Sequence, residues 1–326
     1  MPVPTEPIVT VLHDGGLPPA MEAIEELAQE VRTARPSELA GALRGADVLL
    51  AWDFTTPALR SAWSGADRLR WVHTASAGVD NVLTPEVVDS DVVVTNARGV
   101  FETPIAEYVT GLVLMTAKDM IGTWQRQQRR EWEHRETHSV QRRVAVVVGV
   151  GPIGRAVARM LAGVGLRVRG VGRTARGDDP DFGEVAAAED LRDQVADADY
   201  VVLAAPLTPQ TRGMLDREVL AAMPDRAMLV NIGRGELVVE DDLVAALQEG
   251  RIAGAALDVF EKEPLPSDSP LWTMPQLLVS PHMSADTVGW RDDLAALFVE
   301  NLSRWCKGEP LRNVVDKKLG YVPSTA

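Results

Sequence analysis

Polar residues that can bind an anion or transfer a proton follow predicted strands in the second half of the chain. Arg234, Glu263 and His282 each come shortly after a strand-like apolar run. Because ligands of open α/β sheets bind beyond the carboxyl ends of parallel strands, we expect these side chains to face one ligand. Each residue taken alone could be an exposed turn residue, which is common for polar side chains. Their joint position after successive strands favours a shared site.

These residue types suit hydride transfer between a cofactor and a carbonyl group. Histidine can give a proton near neutral pH to the alkoxide that develops during reduction. A neighbouring carboxylate orients the imidazole and stabilises its protonated form, and a guanidinium pairs with a carboxylate of the substrate. We therefore expect His282 to be the acid/base, Glu263 to assist it and Arg234 to bind a small keto acid.

The stretch from Val144 to Val171 supplies the dinucleotide site that this chemistry needs. Its first residues, Val144–Val148, form a β-branched run typical of a strand buried on both faces. A helical apolar spacing follows as far as Gly165, and a second strand is expected from Leu166. The turn between strand and helix contains Gly149, Gly151, Pro152, Ile153 and Gly154 in a G-x-G-x-x-G pattern. Such a turn presents backbone N–H groups to a pyrophosphate, although a βαβ turn without a ligand remains the alternative.

The end of that second strand indicates which dinucleotide binds. An NAD site usually has an acidic residue about 20 residues after the glycine motif, bonded to the ribose. This chain has Gly172, Arg173 and Thr174 there, followed by Arg176, while the acids at 178–179 come several residues later. Arginine is a planar, permanently charged partner for a 2′-phosphate. The sequence predicts NADP, with NAD possible, and an arginine that is merely solvated is the alternative.

Composition limits the class of protein. The chain has 326 residues, enough for two domains, and a net charge of −14, which argues against nucleic acid or an anionic membrane as partner. Its single cysteine, Cys306, rules out an internal disulfide. We recognise no signal peptide, no apolar run of membrane-spanning length and no spacing typical of metal ligands. We therefore expect a cytoplasmic protein.

Alternating strand and helix patterns predict two doubly wound α/β domains with parallel sheets. The first hundred residues contain strand-like runs and one helical pattern, at Ile8–Leu12, Pro19–Val31 (helix), Val48–Trp52, Leu69–Thr74 and Val92–Thr95. Later patterns predict strands at Tyr200–Ala204, Met228–Asn231, Ala253–Leu257 and Leu277–Ser280, and a helix at Glu240–Leu247.

The predicted domain boundaries make one domain an insertion in the other. A helix is expected to open at Thr103 as N-cap, 125–143 to be an exposed loop between domains, and a long helix to begin at Ala285. The substrate domain would comprise 1–100 and 286–326, with the tail after Pro310 returning to it. The dinucleotide-binding domain would comprise 101–285, with the ligand cleft between the two.

Further motifs occur from about Val72 to about Val315. Besides the glycine turn they are Ser76-Ala77-Gly78-Val79-Asp80, Pro104-Ile105-Ala106-Glu107, Ala205-Pro206-Leu207-Thr208, Asn231 to Gly235, Gly254 to Pro266 and Ser280-Pro281-His282. With them the chain resembles the D-2-hydroxyacid dehydrogenases, and in particular the NADP-preferring glyoxylate/hydroxypyruvate reductases. The resemblance implies two Rossmann-like or flavodoxin-like domains and a homodimer paired through the nucleotide domains.

The resemblance also implies roles for individual residues. Arg234 would bind and activate the substrate, His282 would be the acid/base assisted by Glu263, and N–H groups of Ala77, Gly78 and Val79 would hold the substrate carboxylate. The implied cofactor contacts outside the glycine turn are Arg173, Thr174, Arg176, Pro206, Thr211, Ile232 and Asp258, the last near the nicotinamide or its ribose. Commoner members of the family have Asp where Gly172 stands, which favours NADP.

Two other functions remain open at this point. The same fold occurs in a dinucleotide-sensing corepressor and in an enzyme that oxidises phosphite. The intact set of Arg234, Glu263 and His282 favours catalysis. The candidates for the pocket around the substrate side chain are Trp52, Phe54, Val100, Phe101 and Trp290.

Overall fold

Residues 6–323, which the computed structural model describes, form two compact units. Unit 1 runs up to Phe101 and resumes at Thr287, and unit 2 is Glu102–Asp286. Within the described residues no helix combines the length and apolar character needed to cross a membrane.

Unit 1 is a parallel sheet with helices packed on it. Its elements are β1 (Ile8–Leu12), α1 (Met21–Leu27), β2 (Glu30–Ala34), α2 (Leu39–Ala42), β3 (Val48–Ala51), α3 (Ala58–Ala62), β4 (Trp71–Thr74), α4 (Pro85–Asp89), β5 (Val93–Thr95) and α11 (Trp290–Cys306). The strand order is β2-β1-β3-β4-β5 with every pairing parallel, which is the flavodoxin-like order.

The helix α11 packs its aromatic side chains on β4 of unit 1, while a separate cluster of buried apolar residues lies between the sheet and α2, α3 and α4. Trp71 of β4 stacks against Phe298 and Trp305 of α11, each with ring centroids 5.4 Å apart. The tail of the chain joins the free side of β5, because the N–H of Val315 donates to the carbonyl of Val94 at 2.8 Å. This tail therefore extends the unit-1 sheet by local backbone pairing.

Unit 2 is a larger, mostly parallel sheet. Its elements are α5 (Glu102–Ala117), α6 (Met120–Arg129), β6 (Val144–Val148), α7 (Pro152–Gly163), β7 (Arg167–Gly172), β8 (Arg176–Asp179), β9 (Gly183–Ala187), α8 (Leu191–Val195), β10 (Tyr200–Leu203), α9 (Arg217–Ala222), β11 (Met228–Asn231), α10 (Glu240–Gln248), β12 (Gly254–Leu257) and β13 (Leu277–Val279). The strand order is β13-β12-β11-β10-β6-β7-β9-β8, with only the β8–β9 pairing antiparallel among the described strands.

The predicted α/β fold with doubly wound parallel sheets is confirmed. Every residue of β6 is buried, as its β-branched run predicted. In unit 2 the strand order reverses between β6 and β10, and such a switch point is where doubly wound folds bind their ligands.

Several predicted boundaries are wrong. The helix at 19–31 ends at Leu27, and Val31 belongs to β2, because apolar residues at helical spacing continued into an edge strand. The helix α5 begins at Glu102, so Thr103 lies inside its first turn. The segment 125–143 lies within unit 2, and its first five residues belong to α6.

Two further differences concern the start of α11 and the edge of the unit-2 sheet. The long helix begins at Trp290, after Gly289 with a φ of 89°, and not at Ala285. The hairpin of β8 and β9 was not predicted, because β8 is a polar stretch, Arg176–Asp179, with no apolar alternation. A bulge between Arg176 and Asp179 bends this edge strand.

Candidate active site

The glycine turn lies at the switch point of the unit-2 sheet. Gly149 has a φ of 106°, and a Cβ there would lie 2.5 Å from the backbone of Ala204 after β10. A Cβ on Gly154 would lie 1.8 Å from the carbonyl oxygen of Gly149, so only glycine lets α7 start this close to β6. A Cβ on Gly151 would meet nothing within 4 Å, which leaves open space in front of that backbone.

This turn fits the pyrophosphate of a dinucleotide. Gly151 is the N-cap residue of α7 and Pro152 its first residue, where the missing N–H costs no helical hydrogen bond. Ile153 follows, so the free N–H groups of the first turn and the positive end of the helix dipole lie beside the open space at Gly151.

His282 and Glu263 form a hydrogen-bonded pair in unit 2. Nδ1 of His282 lies 2.7 Å from Oε2 of Glu263, and both side chains are only partly exposed. The other carboxylate oxygen of Glu263 accepts the N–H of Phe260 at 3.0 Å. His282 has a φ of 52°, a conformation that a non-glycine residue adopts at some cost. The pair therefore has a fixed orientation.

The environment of Glu263 keeps its carboxylate ionised. Partial burial by itself raises the pKa of Glu263. The hydrogen bond and charge of His282, the N–H of Phe260 and the charge of Arg234 outweigh burial, so the pKa lies below its ordinary value. An ionised Glu263 is an acceptor only, which makes Nδ1 of His282 the donor.

The segment carrying His282 is held by Asp258. The carboxylate of Asp258 accepts the N–H groups of Met283 and Ser284 at 2.9 Å and the hydroxyl of Ser280 at 2.7 Å. The hydroxyl of Tyr108 in turn donates to Ser280 at 2.6 Å. Asp258 is 1% exposed, so its contacts are with this segment; the expectation that it faces the nicotinamide or its ribose remains a prediction.

Arg234 begins a short helical turn after β11. The side-chain amide of Asn231 donates to its carbonyl at 2.9 Å, and its own Nη1 donates to the carbonyl of Gly233 at 2.8 Å. The turn packs tightly against the segment that leads to Glu263, because a Cβ on Gly235 would lie 1.8 Å from the carbonyl carbon of Phe260. The structure thus brings Arg234 into electrostatic contact with Glu263.

The predicted substrate loop follows β4 in unit 1. Its carbonyls are engaged: the carbonyl of Ala77 accepts the amide of Asn96 at 2.6 Å, and that of Gly78 accepts the hydroxyl of Ser76 at 2.6 Å. Among the described residues, the N–H groups of Ala77, Gly78 and Val79 have no hydrogen-bond partner. Such unpaired N–H groups are suited to bind an anion.

Other predicted cofactor residues lie at the carboxyl ends of β10 and β11. The hydroxyl of Thr211 donates to the carbonyl of Pro206 at 2.7 Å and closes the loop after β10. Ile232 is buried, and its N–H donates to the carbonyl of Leu203 at 3.2 Å. Within residues 6–323 no group of three or more His, Cys, Asp or Glu side chains could hold a metal ion.

Comparison with known proteins identifies the family. Residues 110–284 match the family described as D-isomer specific 2-hydroxyacid dehydrogenase, NAD binding domain. The chain belongs to this dehydrogenase family. It is 34% identical over 268 residues to a glyoxylate reductase from Thermococcus gammatolerans, covering 79% of each chain. It is 31% identical to a D-3-phosphoglycerate dehydrogenase from Methanocaldococcus jannaschii over 91% of this chain, but spans only 57% of that relative.

A solved structure agrees with this family. An NADPH-dependent glyoxylate/hydroxypyruvate reductase from Sinorhizobium meliloti, in complex with NADP and sulfate, has a TM-score of 0.80 and 30% identity, with 97% of this chain and 100% of that chain covered. The chain is therefore an NAD(P)-dependent oxidoreductase of the D-2-hydroxyacid dehydrogenase type, acting on CH–OH donors.

The end of β7 in this dehydrogenase differs from an acidic NAD-type site. A Cβ on Gly172 would lie 2.9 Å from Val150 and 3.1 Å from Val185, so neighbouring side chains fill the place of an acid. Arg173 and Thr174 are exposed directly after it. Arg176 lies alongside, with Nη1 3.7 Å from the same Cβ position.

The sequence did not indicate the partners of Arg176 in the dehydrogenase. Asp179 comes several residues after the end of β7 in the sequence, and the bulged β8 brings its carboxylate within 2.9 Å of Arg176. Arg155, one residue after the glycine motif, also binds Asp179. The two arginines and three aspartates between 173 and 181 are a signal that could have suggested an ion network.

The candidates for the side-chain pocket lie in unit 1. Trp290 contacts the rings of Phe54 and Phe101, with centroids 6.4 Å apart in each case. The carbonyl of Phe54 also accepts the amide of Asn81, which links this aromatic group to the substrate loop. Trp52 is buried after β3 and is not part of the aromatic contacts described for Trp290.

Proposed function

We propose that this dehydrogenase reduces a small 2-keto acid to the D-2-hydroxy acid with NADPH, and catalyses the reverse oxidation. The observation that carries the proposal is the 2.7 Å contact between His282 and an ionised Glu263, on the same unit as the glycine turn. Glyoxylate and hydroxypyruvate are the acids we favour, because the two reductases compared above carry those names.

In this proposal His282 exchanges its proton through Nε2. Glu263 accepts the Nδ1–H, which fixes the ring and leaves Nε2 for the substrate. The nicotinamide, when bound, supplies the hydride to the carbonyl carbon. Nε2 gives its proton to the carbonyl oxygen as negative charge develops, and Glu263 stabilises the imidazolium that was present before the transfer.

The carboxylate of a keto acid needs hydrogen-bond donors from the protein. We assign Arg234 to the carboxylate and carbonyl of the keto acid, since a guanidinium forms paired, charge-assisted hydrogen bonds with a carboxylate. The unpaired N–H groups of Ala77, Gly78 and Val79 in unit 1 are the other donors that we propose for a substrate carboxylate. Holding the acid at several points converts a loose encounter into an aligned one.

The preference for NADPH rests on the end of β7. Gly172 has no room for an acid, and Arg173 and Arg176 offer positive charge for a 2′-phosphate. A panel of 2-keto acids assayed with NADPH and NADH, compared as kcat/KM, tests substrate and cofactor together. A clear preference for NADH would refute the assignment of the cofactor.

His282→Gln tests the reaction chemistry. We expect kcat to fall by about 10²–10⁴-fold, the usual contribution of a general acid, while the Kd for NADPH stays within twofold. Turnover retained in this variant would remove His282 from the proton transfer. Tight binding of NADPH by the unaltered protein, without turnover of any keto acid, would instead favour a dinucleotide sensor.

Two further proposals come from the sequence. A homodimer would form through unit 2, and the protein would reside in the cytoplasm. Fractionation of cells that express the tagged chain tests the second.

A further inference from the structure

Asp179, the last residue of β8, has a buried carboxylate that takes no part in the proposed binding of substrate or in proton transfer. Its side chain is 1% exposed, although it is an acidic residue on an edge strand. Buried carboxylates of this kind are stable only when paired and hydrogen-bonded. What pairs with Asp179 therefore indicates what it does.

Asp179 binds two arginines from different elements. Arg155, in the first turn of α7, forms a two-pronged pair with it, at 2.8 Å to Oδ1 and 2.7 Å to Oδ2. Arg176 donates to Oδ2 from Nε at 3.1 Å and from Nη2 at 2.9 Å. The hydrogen bond from Arg155, the N–H of Asp181 and Arg176 outweigh burial and hold the pKa of Asp179 far below its ordinary value.

This arrangement orients the third nitrogen of Arg176. Since Nε and Nη2 face Asp179, Nη1 is on the other side of the guanidinium, 3.7 Å from the Cβ position of Gly172. Among the described residues Nη1 has no hydrogen-bond partner. In a dinucleotide site of this type, the 2′-phosphate of NADPH binds at the end of the strand that corresponds to β7.

The charges permit an anion there. If Asp179 were paired with Arg176 alone, its negative charge would neutralise that arginine. Asp179 pairs with Arg155 as well, so two positive charges face this one carboxylate. Arg155 and Arg159 also pair with Asp181 at 2.8 and 3.1 Å. The set of Arg155, Arg159 and Arg176 against Asp179 and Asp181 leaves one positive charge. The exposed Arg173 adds another and the exposed Asp178 offsets it, so the local balance stays positive.

We propose that Asp179 is a positioning residue for cofactor choice, which acts by holding Arg176 at the end of β7 for the 2′-phosphate of NADPH. The inference rests on the proposed preference for NADPH and adds to it a residue that does not touch the cofactor. A purely structural role would affect NADPH and NADH alike, because the two differ only in that phosphate.

The test compares Asp179→Asn with Asp181→Asn. The second variant removes a carboxylate that also binds Arg155 but does not contact Arg176, so it is a matched control. Calorimetry with adenosine 2′,5′-bisphosphate and with 5′-AMP gives a readout independent of turnover. We expect Asp179→Asn to weaken the bisphosphate by about tenfold and 5′-AMP by less than twofold, with Asp181→Asn near the unaltered protein for both.

A double-variant cycle tests the route through Arg176. In an Arg176→Ala background, Asp179→Asn should change the bisphosphate Kd and the KM for NADPH by less than twofold. Two results would overturn the inference. One is an equal loss of affinity for the bisphosphate and for 5′-AMP in Asp179→Asn. The other is the same tenfold loss for the bisphosphate when Asp179→Asn is added to Arg176→Ala. If Asp179→Asn does not fold, Asp179→Glu keeps the charge but moves Arg176, and we expect a smaller loss for the bisphosphate alone; no selective loss would overturn the inference.

The proposed function and this inference fail differently. If the unaltered enzyme prefers NADH, the cofactor proposal fails before any variant is made. If it prefers NADPH and Asp179→Asn keeps that preference, only the role of Asp179 is refuted.

Discussion

Individual side chains in unit 2 are constrained by close neighbours as well as by the chemistry they perform. Glu263 accepts two N–H donors with its two oxygens, from His282 and from Phe260. Gly172 is surrounded by Val150 and Val185. At this scale a conservative substitution can fail because one atom has no partner or no room.

Glu263→Gln tests the first of these constraints. The amide has one acceptor oxygen, so it cannot accept from both His282 and Phe260, and it does not stabilise an imidazolium as a carboxylate does. We expect kcat for keto-acid reduction to fall by about 10²-fold, with the KM for NADPH little changed. Steady-state kinetics measure both, and an unaltered kcat would show that turnover does not need the carboxylate of Glu263.

Gly172→Asp tests the second constraint. The new Cβ would approach Val150 within 2.9 Å, and β-branched Val150 has little freedom to move aside. We expect the single variant to lose about 1–3 kcal/mol of stability without gaining NADH activity. Adding Val150→Ala should restore much of the melting temperature and shift kcat/KM towards NADH. If Gly172→Asp alone gave a stable enzyme that uses NADH, the interpretation that Val150 and Val185 leave no room for an acid at position 172 would be wrong.

At the scale of elements, a strand that buries a titratable side chain decides whether that side chain is protonated. His73 on β4, an inner strand of the unit-1 sheet, is fully buried, with Nδ1 2.8 Å from the hydroxyl of Thr95. Nε2 has no partner among the described residues. Burial lowers the pKa of His73 from 6.5 to about 3, so the ring stays neutral in the folded protein.

This histidine makes unit 1 sensitive to acid. Between the folded and unfolded pKa values only the unfolded chain binds the proton, so stability is full above about pH 6.5 and falls as the pH drops towards 3. We expect a loss of about 2 kcal/mol between pH 7 and pH 5 from this group alone. Urea unfolding at both pH values measures this. The free energy of unfolding of His73→Gln should change by about 2 kcal/mol less between pH 7 and pH 5 than that of the unaltered protein. Equal dependence in the two proteins would mean that the ring is protonated when folded.

The whole molecule has a net charge that opposes its anionic ligands. The charge of −14 repels both cofactor and keto acid at long range, although salt screens it beyond about 10 Å. Local arginines and unpaired N–H groups must therefore supply the attraction. The exposed apolar surface of unit 2 is a second feature at this scale, and it includes Met120, Ile121, Trp124 and Trp132 on α6 and just after it.

That surface bears on the proposed homodimer. Trp132 is 101% exposed and Trp124 61% exposed, and large apolar side chains exposed close together along the chain are typical of an interface. We expect a mass near twice the 35.3 kDa of one chain, and a shift towards monomer for Trp124→Asp combined with Trp132→Asp. Light scattering after gel filtration measures the mass. Trp272→Asp, which changes another exposed tryptophan of unit 2, should leave it unaltered.

Much of the fold could be predicted from local patterns. The strand β11 and the buried β6 followed from apolar runs, and the start of α7 followed from glycine and proline, because these features depend on neighbours in the chain. The polar strand β8 could not be predicted in this way. Its residues have no apolar alternation, and only pairing with β9 makes them a strand.

The sequence by itself determined which residues could do chemistry, since residue type and position after a strand are local properties. Only the tertiary structure decided which of them meet. The contact of His282 with Glu263 spans 19 residues, and Val150 fills the space beside Gly172 across the turn after β6. Asp179 reaches Arg155 across 24 residues because the sheet folds back at β8. Such contacts depend on strand order and close packing, which no local pattern of residues specifies.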